Sequence, residues 1–175
     1  GPTWEPLAVA RSPGERNHPS GPPAGAGDRG MTPPDRHAGD RSRAVPCTGG
    51  GGFTHVVDNK MVLTRAENSE KLKALIAERK NHPNLKVMIA CGGWTGSKGF
   101  SDMAASADNR AVFVKSVIDF MQNYNLDGLD IDWEYPGLKG DNNKFRPEDK
   151  ENFTSLMKEL KQSMQAANPQ WVLTF

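Results

Sequence analysis

The run Asp127-Gly-Leu-Asp130-Ile-Asp132-Trp-Glu134-Tyr135-Pro136 places four carboxyl groups within eight residues. In an extended strand, side chains alternate between faces, and residues i and i+2 lie about 6.6 Å apart. Asp130, Asp132 and Glu134 therefore share one face, while Leu129, Ile131 and Trp133 share the other, where they can pack on helices. Three charged carboxylates in a row on a buried strand would be very unfavourable. Sharing protons through hydrogen bonds relieves the strain and raises at least one pKa, which keeps a carboxylic acid protonated near neutral pH. Glu134 stands last, at the C-terminal end of the strand, so the pattern suits a general acid supported by a partner two residues earlier. Asp127 falls out of phase with this face and reads as a structural residue at the strand entrance. Three other readings compete. An acidic surface loop would rarely interleave Leu, Ile and Trp so regularly with acids. A calcium loop needs Gly where Tyr135 stands, and Pro136 follows. A divalent-metal carboxylate cluster without His is chemically possible, but no other motif supports it.

The elements that must position this strand can be read from periodicity. A helix is predicted over about 69–80, with Leu72, Leu75 and Ile76 on one face and Asn81-His-Pro-Asn84 stopping it. Residues 85–90 form a short apolar strand that ends in Gly92-Gly93-Trp94. A second helix is predicted from the pair Asp108-Asn109, with Phe113, Val117, Phe120 and Tyr124 at helical spacing. Residues 126–133 form the acidic strand. A third helix starts at Pro147, followed by Glu148 and Asp149 at the positive end of its dipole. Its apolar stripe is Phe153, Leu156, Met157, Leu160 and Met164, and Asn168-Pro169 ends it. Residues 171–175 open a further strand.

Strands alternating with amphipathic helices imply βαβ units, a parallel sheet and an α/β fold. Lys86 to Gly128 is 42 residues and Gly128 to Trp171 is 43. Eight such units need on the order of 340 residues, within the range of large (β/α)8 barrels. Residues 53–175 number 123, so the expectation is a partial TIM barrel of about three βα units. An open doubly wound sheet is the structural alternative. Gly92-Gly93 is not a G-x-G-x-x-G turn, however, and no dinucleotide site is evident.

Residues 1–52 follow different physics. They hold 11 Gly and 9 Pro and no Ile, Phe, Tyr, Lys or Gln, so they cannot bury enough apolar surface to offset chain entropy. The segment is expected to be disordered. Its Gly/Ala/Arg/Pro bias resembles translated GC-rich flanking sequence, which suggests that it is not a native part of the domain. The 175-residue chain has a net charge of only +1, which gives no electrostatic footprint for nucleic acid or an anionic membrane surface. No apolar run approaches the roughly 18–20 residues of a membrane span. The first residues carry neither an initiator Met nor the apolar core of a signal peptide, so the true start is expected elsewhere. Cys47 and Cys91 make no disulfide framework and read as free thiols, Cys91 as a buried small hydrophobe.

The acidic strand resembles the D-x-x-D-x-D-x-E signature of glycoside hydrolase family 18, the chitinases and their relatives. Lys86-Val-Met-Ile-Ala-Cys-Gly-Gly-Trp94 resembles the S-x-G-G signature of the preceding strand, with Ala90 in the Ser position, as in animal-type members. The resemblance covers about residues 66–175 and is strongest over 85–137. It implies substrate-assisted, retaining hydrolysis of β-1,4-linked N-acetylglucosamine polymers such as chitin, an exception to the two-carboxylate scheme. By this resemblance Glu134 is the proton donor, Asp132 orients the substrate acetamido group, and Asp130 shares a proton with Asp132. Gly92, Gly93, Trp94 and Thr95 line the sugar cleft, and Tyr135 faces the scissile bond. The competing reading of Trp94 is a packing residue under its loop; Trp133 points to the helix side. No metal or organic cofactor is required, the expected partners are chitin or N-acetylglucosamine oligosaccharides, and the expected location is extracellular. Asn152-Phe-Thr154 is a glycosylation sequon, and no role is assigned to His55 or His82. By the same resemblance the alternatives are a non-catalytic chitinase-like lectin, a kind of relative that commonly loses the acid that stands here as Glu134, and an endoglycosidase acting on N-linked glycans, which shares the signature. By resemblance, later strands would bring a Tyr, an Asp and a Trp to the cleft. The chain alone is therefore expected to lack measurable turnover and to leave its last strand unpaired.

Overall fold

A computed structural model describes residues 7–10 and 52–175. In chain order the elements are β1 (Leu7–Ala10), β2 (Thr54–Val57), β3 (Lys60–Leu63), α1 (Asn68–Ala77), β4 (Lys86–Gly92), α2 (Phe100–Ala104), α3 (Ala107–Asn123), β5 (Gly128–Asp132), α4 (Asp149–Ala167) and β6 (Val172–Thr174). The sheet order is β3-β2-β4-β5-β6, with β1 on β4. The pairs β4–β5, β5–β6 and β2–β4 are parallel. This is the predicted α/β architecture, a partial (β/α)8 barrel of successive βα units.

Each parallel strand separates two environments. From β4, Val87, Ile89 and Cys91, and from β5, Leu129, Ile131 and the following Trp133, join one buried cluster. That cluster also holds Phe113, Val117 and Met121 of α3 and Leu156, Leu160 and Met164 of α4, the helix faces that the 3.6-residue period picks out. Trp133 stacks on Phe100 of α2 at 5.3 Å between ring centroids and meets Phe153 edge-on at 5.9 Å. The alternate residues Met88 and Ala90 are buried outside this cluster, on the opposite face, where the register sets Ala90 beside Asp130 and Gly92 beside Asp132.

The structure departs from the sequence expectation in several places. Leu7–Ala10 is a strand, whereas 1–52 reads as disordered. Its register runs from Leu7↔Lys86 to Ala10↔Ile89. β2 pairs β4 only at Thr54↔Cys91, so the backbone groups of the earlier β4 residues on that flank are open, and the apolar run Leu-Ala-Val-Ala completes them. The rest of that expectation, and Cys47, lie outside the described residues. Before α1 stands an antiparallel hairpin, β2–β3, that strand-helix alternation did not predict; Asp58 and Asn59 turn it with φ of 49° and 59°. α3 starts at Ala107 because the Ser106 side chain, not the Asp108-Asn109 pair, caps it by accepting from the Asn109 N–H at 3.2 Å. α4 starts at Asp149, two residues after Pro147. No helix among the described residues is long and apolar enough to cross a membrane.

Candidate active site

The carboxyl row lies on the face of β5 turned away from the helices. Asp130 is buried and accepts a 2.5 Å hydrogen bond from the Thr174 hydroxyl of β6, its register partner. Asp132 ends β5 partly buried, and Glu134 follows two residues beyond it, also partly buried. Burial raises the Glu134 pKa above its ordinary value, and the neighbouring Asp132 charge adds to the rise; a hydrogen bond from Tyr135 works in the opposite direction. Tyr135 is itself pushed up, first by the Glu134 charge and then by burial. The Glu134–Tyr135 peptide bond is cis.

The end of β4 closes against this row. Gly92 has a φ of 115°, and a Cβ there would sit 2.2 Å from the Asp132 carbonyl oxygen. Only glycine fits both the conformation and the approach. The Gly93 N–H donates to the Asp132 carbonyl at 2.7 Å and joins the two strand ends. Trp94 and Tyr135 are half-exposed, at 46% and 45%, and Thr95 is also exposed. The sequence-derived site residues thus gather at the C-terminal edge of β4 and β5, with an aromatic ring beyond each strand.

Asp127 stands at the opposite end of the strand. Its carboxylate accepts from the Val87 N–H at 2.7 Å and from the Arg79 guanidinium at 2.5 Å, and its carbonyl accepts from the Val172 N–H at 2.9 Å. It therefore ties three strands together at the N-terminal edge, the structural position its phase suggests. Cys91 is buried and free, and burial pushes its thiol up to about 12. His55 is lowered by burial. Asn152 lies within α4. Among the described residues, no group of three His, Cys, Asp or Glu side chains could hold a metal ion.

Three residues near the carboxyl row escaped the sequence reading: Thr174, Ser97 and Asn143. The buried Ser97 hydroxyl donates to the carbonyls of Gly93 at 2.8 Å and Asp132 at 3.1 Å, and accepts from the Glu134 N–H at 3.0 Å. The Asn143 side-chain amide donates to the Glu134 carbonyl at 2.7 Å. Nothing periodic marks these residues.

An acid row along a barrel strand, ending in a half-buried glutamate at the C-terminal edge, is the arrangement of a barrel hydrolase. Comparison with known proteins agrees. The family model described as "Glycosyl hydrolases family 18" matches residues 48–175, and the chain belongs to that family. It is 50% identical over 90 residues to "Chitinase A1" of Niallia circulans, covering 51% of this chain and 13% of that protein. It is 41% identical over 120 residues to "Chitotriosidase-1" of Mus musculus, covering 64% of this chain and 25% of that one. Among solved structures, the Group IV chitinase of Ostrinia furnacalis in complex with allosamidin matches with a TM-score of 0.62 and 30% identity, over 69% of this chain and 33% of that one. The chain thus spans a quarter or less of the two curated relatives.

Proposed function

We propose that these residues carry the acid-base strand of a chitinase, with β-1,4-linked N-acetylglucosamine polymers as substrate and Glu134 as proton donor. The observation that carries the reading is the environment of Glu134. A partly buried carboxyl beside Asp132, just past the C-terminal end of the strand, is shifted toward its protonated form by burial and by that charge, the direction a general acid needs. Binding of glycan alone would not call for a carboxyl whose surroundings disfavour its charge, and the relatives named as chitinases point the same way.

In the proposed reaction the Glu134 carboxyl gives its proton to the glycosidic oxygen as the bond to the anomeric carbon breaks. The carbonyl oxygen of the substrate's own acetamido group attacks that carbon, forming an oxazolinium intermediate. Asp132 accepts from the acetamido N–H and stabilises its developing charge. Asp130, anchored by Thr174, supports Asp132. Water then gives a proton to Glu134 and adds to the anomeric carbon as the bond from the acetamido oxygen breaks, and the two inversions together retain configuration. The rings of Trp94 and Tyr135, exposed beyond the strand ends, offer apolar faces to sugar.

The test is Glu134→Gln in a chain that carries a complete barrel. Turnover of N-acetylglucosamine oligomers falls about 10²–10⁴-fold or more, the worth of a general acid, while oligomer binding measured by calorimetry persists. Unchanged turnover would remove Glu134 from the mechanism. Persistent binding with no turnover in the unsubstituted complete barrel would favour a glycan-binding lectin instead.

A further inference from the structure

We propose that Ser97 and Asn143 are positioning residues for Glu134, holding its backbone from both sides so that its carboxyl stays aimed across the end of the sheet. The proposal rests on the reading of Glu134 as the acid. Glu134 lies past the last residue of β5, so the sheet ladder no longer fixes it. The side chains of Ser97 and Asn143 take over. Ser97, from the loop after β4, bonds the Glu134 N–H and shares its one proton between the carbonyls of Gly93 and Asp132. It is fully buried, so removing the hydroxyl would take from the Glu134 N–H its partner away from solvent, whereas the Gly93 and Asp132 carbonyls keep the Gly96 and Gly93 N–H donors.

Asn143 does the same from the loop between β5 and α4, on the other side of the residue. It donates to the Glu134 carbonyl, the oxygen that precedes Tyr135. That loop passes close: a Cβ on Gly140 would lie 2.2 Å from the same carbonyl oxygen and 2.7 Å from the Asn143 amide nitrogen. The loop is in turn fastened to α2 and to the start of α4. The Arg146 guanidinium donates to the Ser101 hydroxyl at 2.6 Å and pairs with Asp102, and Lys144 pairs with Asp102 at 2.7 Å. The buried Asp149 accepts from Ser101 at 3.0 Å and from the Arg146 N–H at 2.7 Å. A chain of bonds therefore runs from the helix layer to the backbone of the acid. Such a support matters because a displacement of about 1 Å in a reacting group can cost about 10²-fold in rate.

The experiment compares Ser97→Ala, Ser97→Thr and Asn143→Asp in a chain carrying a complete barrel, with Glu134→Gln alongside. Ser97→Ala and Asn143→Asp lower kcat on an N-acetylglucosamine oligomer about 10–100-fold, with KM within about twofold, because orientation is lost and binding is not. The alkaline limb of the pH profile moves with them, and Ser97→Thr, which keeps the hydroxyl, recovers most of the rate. Unchanged kcat and an unmoved alkaline limb in folded Ser97→Ala or Asn143→Asp would overturn the proposal and leave these bonds with a role in stability alone. If Ser97→Ala does not fold, Asn143→Asp decides by itself, since it keeps the side-chain shape and removes the donor. Retained turnover in Glu134→Gln would instead strike the assignment of the acid, whatever the positioning variants do.

Discussion

A glutamate free in water gives up its proton near about pH 4.3, so a proton donor for neutral solution has to be made by its surroundings. Around Glu134, the proposed donor, burial and the Asp132 charge both shift the carboxyl toward its protonated form. The order of the acids and their shared face could be read from alternation alone, because the period of a strand is two. Their supports could not. Thr174 reaches Asp130 across 44 residues of sequence, and Ser97 reaches Glu134 across 37; such contacts follow from sheet register and loop path, which no local pattern carries. Thr174→Val tests one support. It keeps the shape but removes one donor to the buried Asp130 side chain, and it lowers unfolding free energy by about 1–3 kcal/mol in a urea titration. An unchanged midpoint would mean that Asp130 finds another donor without loss.

The helices were legible because their buried stripes repeat at 3.6 residues. Leu156, Leu160 and Met164 of α4 and Phe113 and Val117 of α3 sit in the core as their spacing requires. Phe153, Met157, Phe120 and Tyr124 pack at its margin. The hairpin β2–β3 went unread although it carried a signal. Asp58-Asn59, after Val56-Val57 and before Lys60-Met61, is a two-residue turn with both residues at positive φ, the conformation such tight hairpins need. Its strands are only four residues each, too short for periodicity to stand out. At this scale the central prediction concerns the layer beneath the acid strand. Leu156→Ala costs about 2–5 kcal/mol, the range for deleting a buried leucine side chain, whereas the exposed Lys158→Ala changes stability by no more than about 0.5 kcal/mol. Equal effects of the two in thermal melts would show that α4 is not packed on the sheet as described.

Across the whole molecule, the sheet presents two flanks, β3 and β6. Among the described residues β6 pairs only with β5, and Val172 on it is 41% exposed. An open, partly apolar strand edge is a template for another chain, and the net charge of +1 offers little repulsion against association. The 175-residue chain therefore associates as its concentration rises, and Val172→Lys reduces this, as followed by light scattering. A monomer at all concentrations would contradict the exposed edge.

The most direct measurement is the titration of the Glu134 carboxyl by carbon NMR, in this chain and in its Asp132→Asn variant. The account predicts a midpoint above the ordinary glutamate value, falling on substitution but not all the way, because burial is the larger cause. The sign for stability follows: a carboxyl whose pKa is raised by folding adds stability below its unfolded pKa and loses it as pH climbs through the folded one. A Glu134 midpoint at the ordinary value, unmoved by Asp132→Asn, would contradict the claim that this strand holds a proton ready for donation.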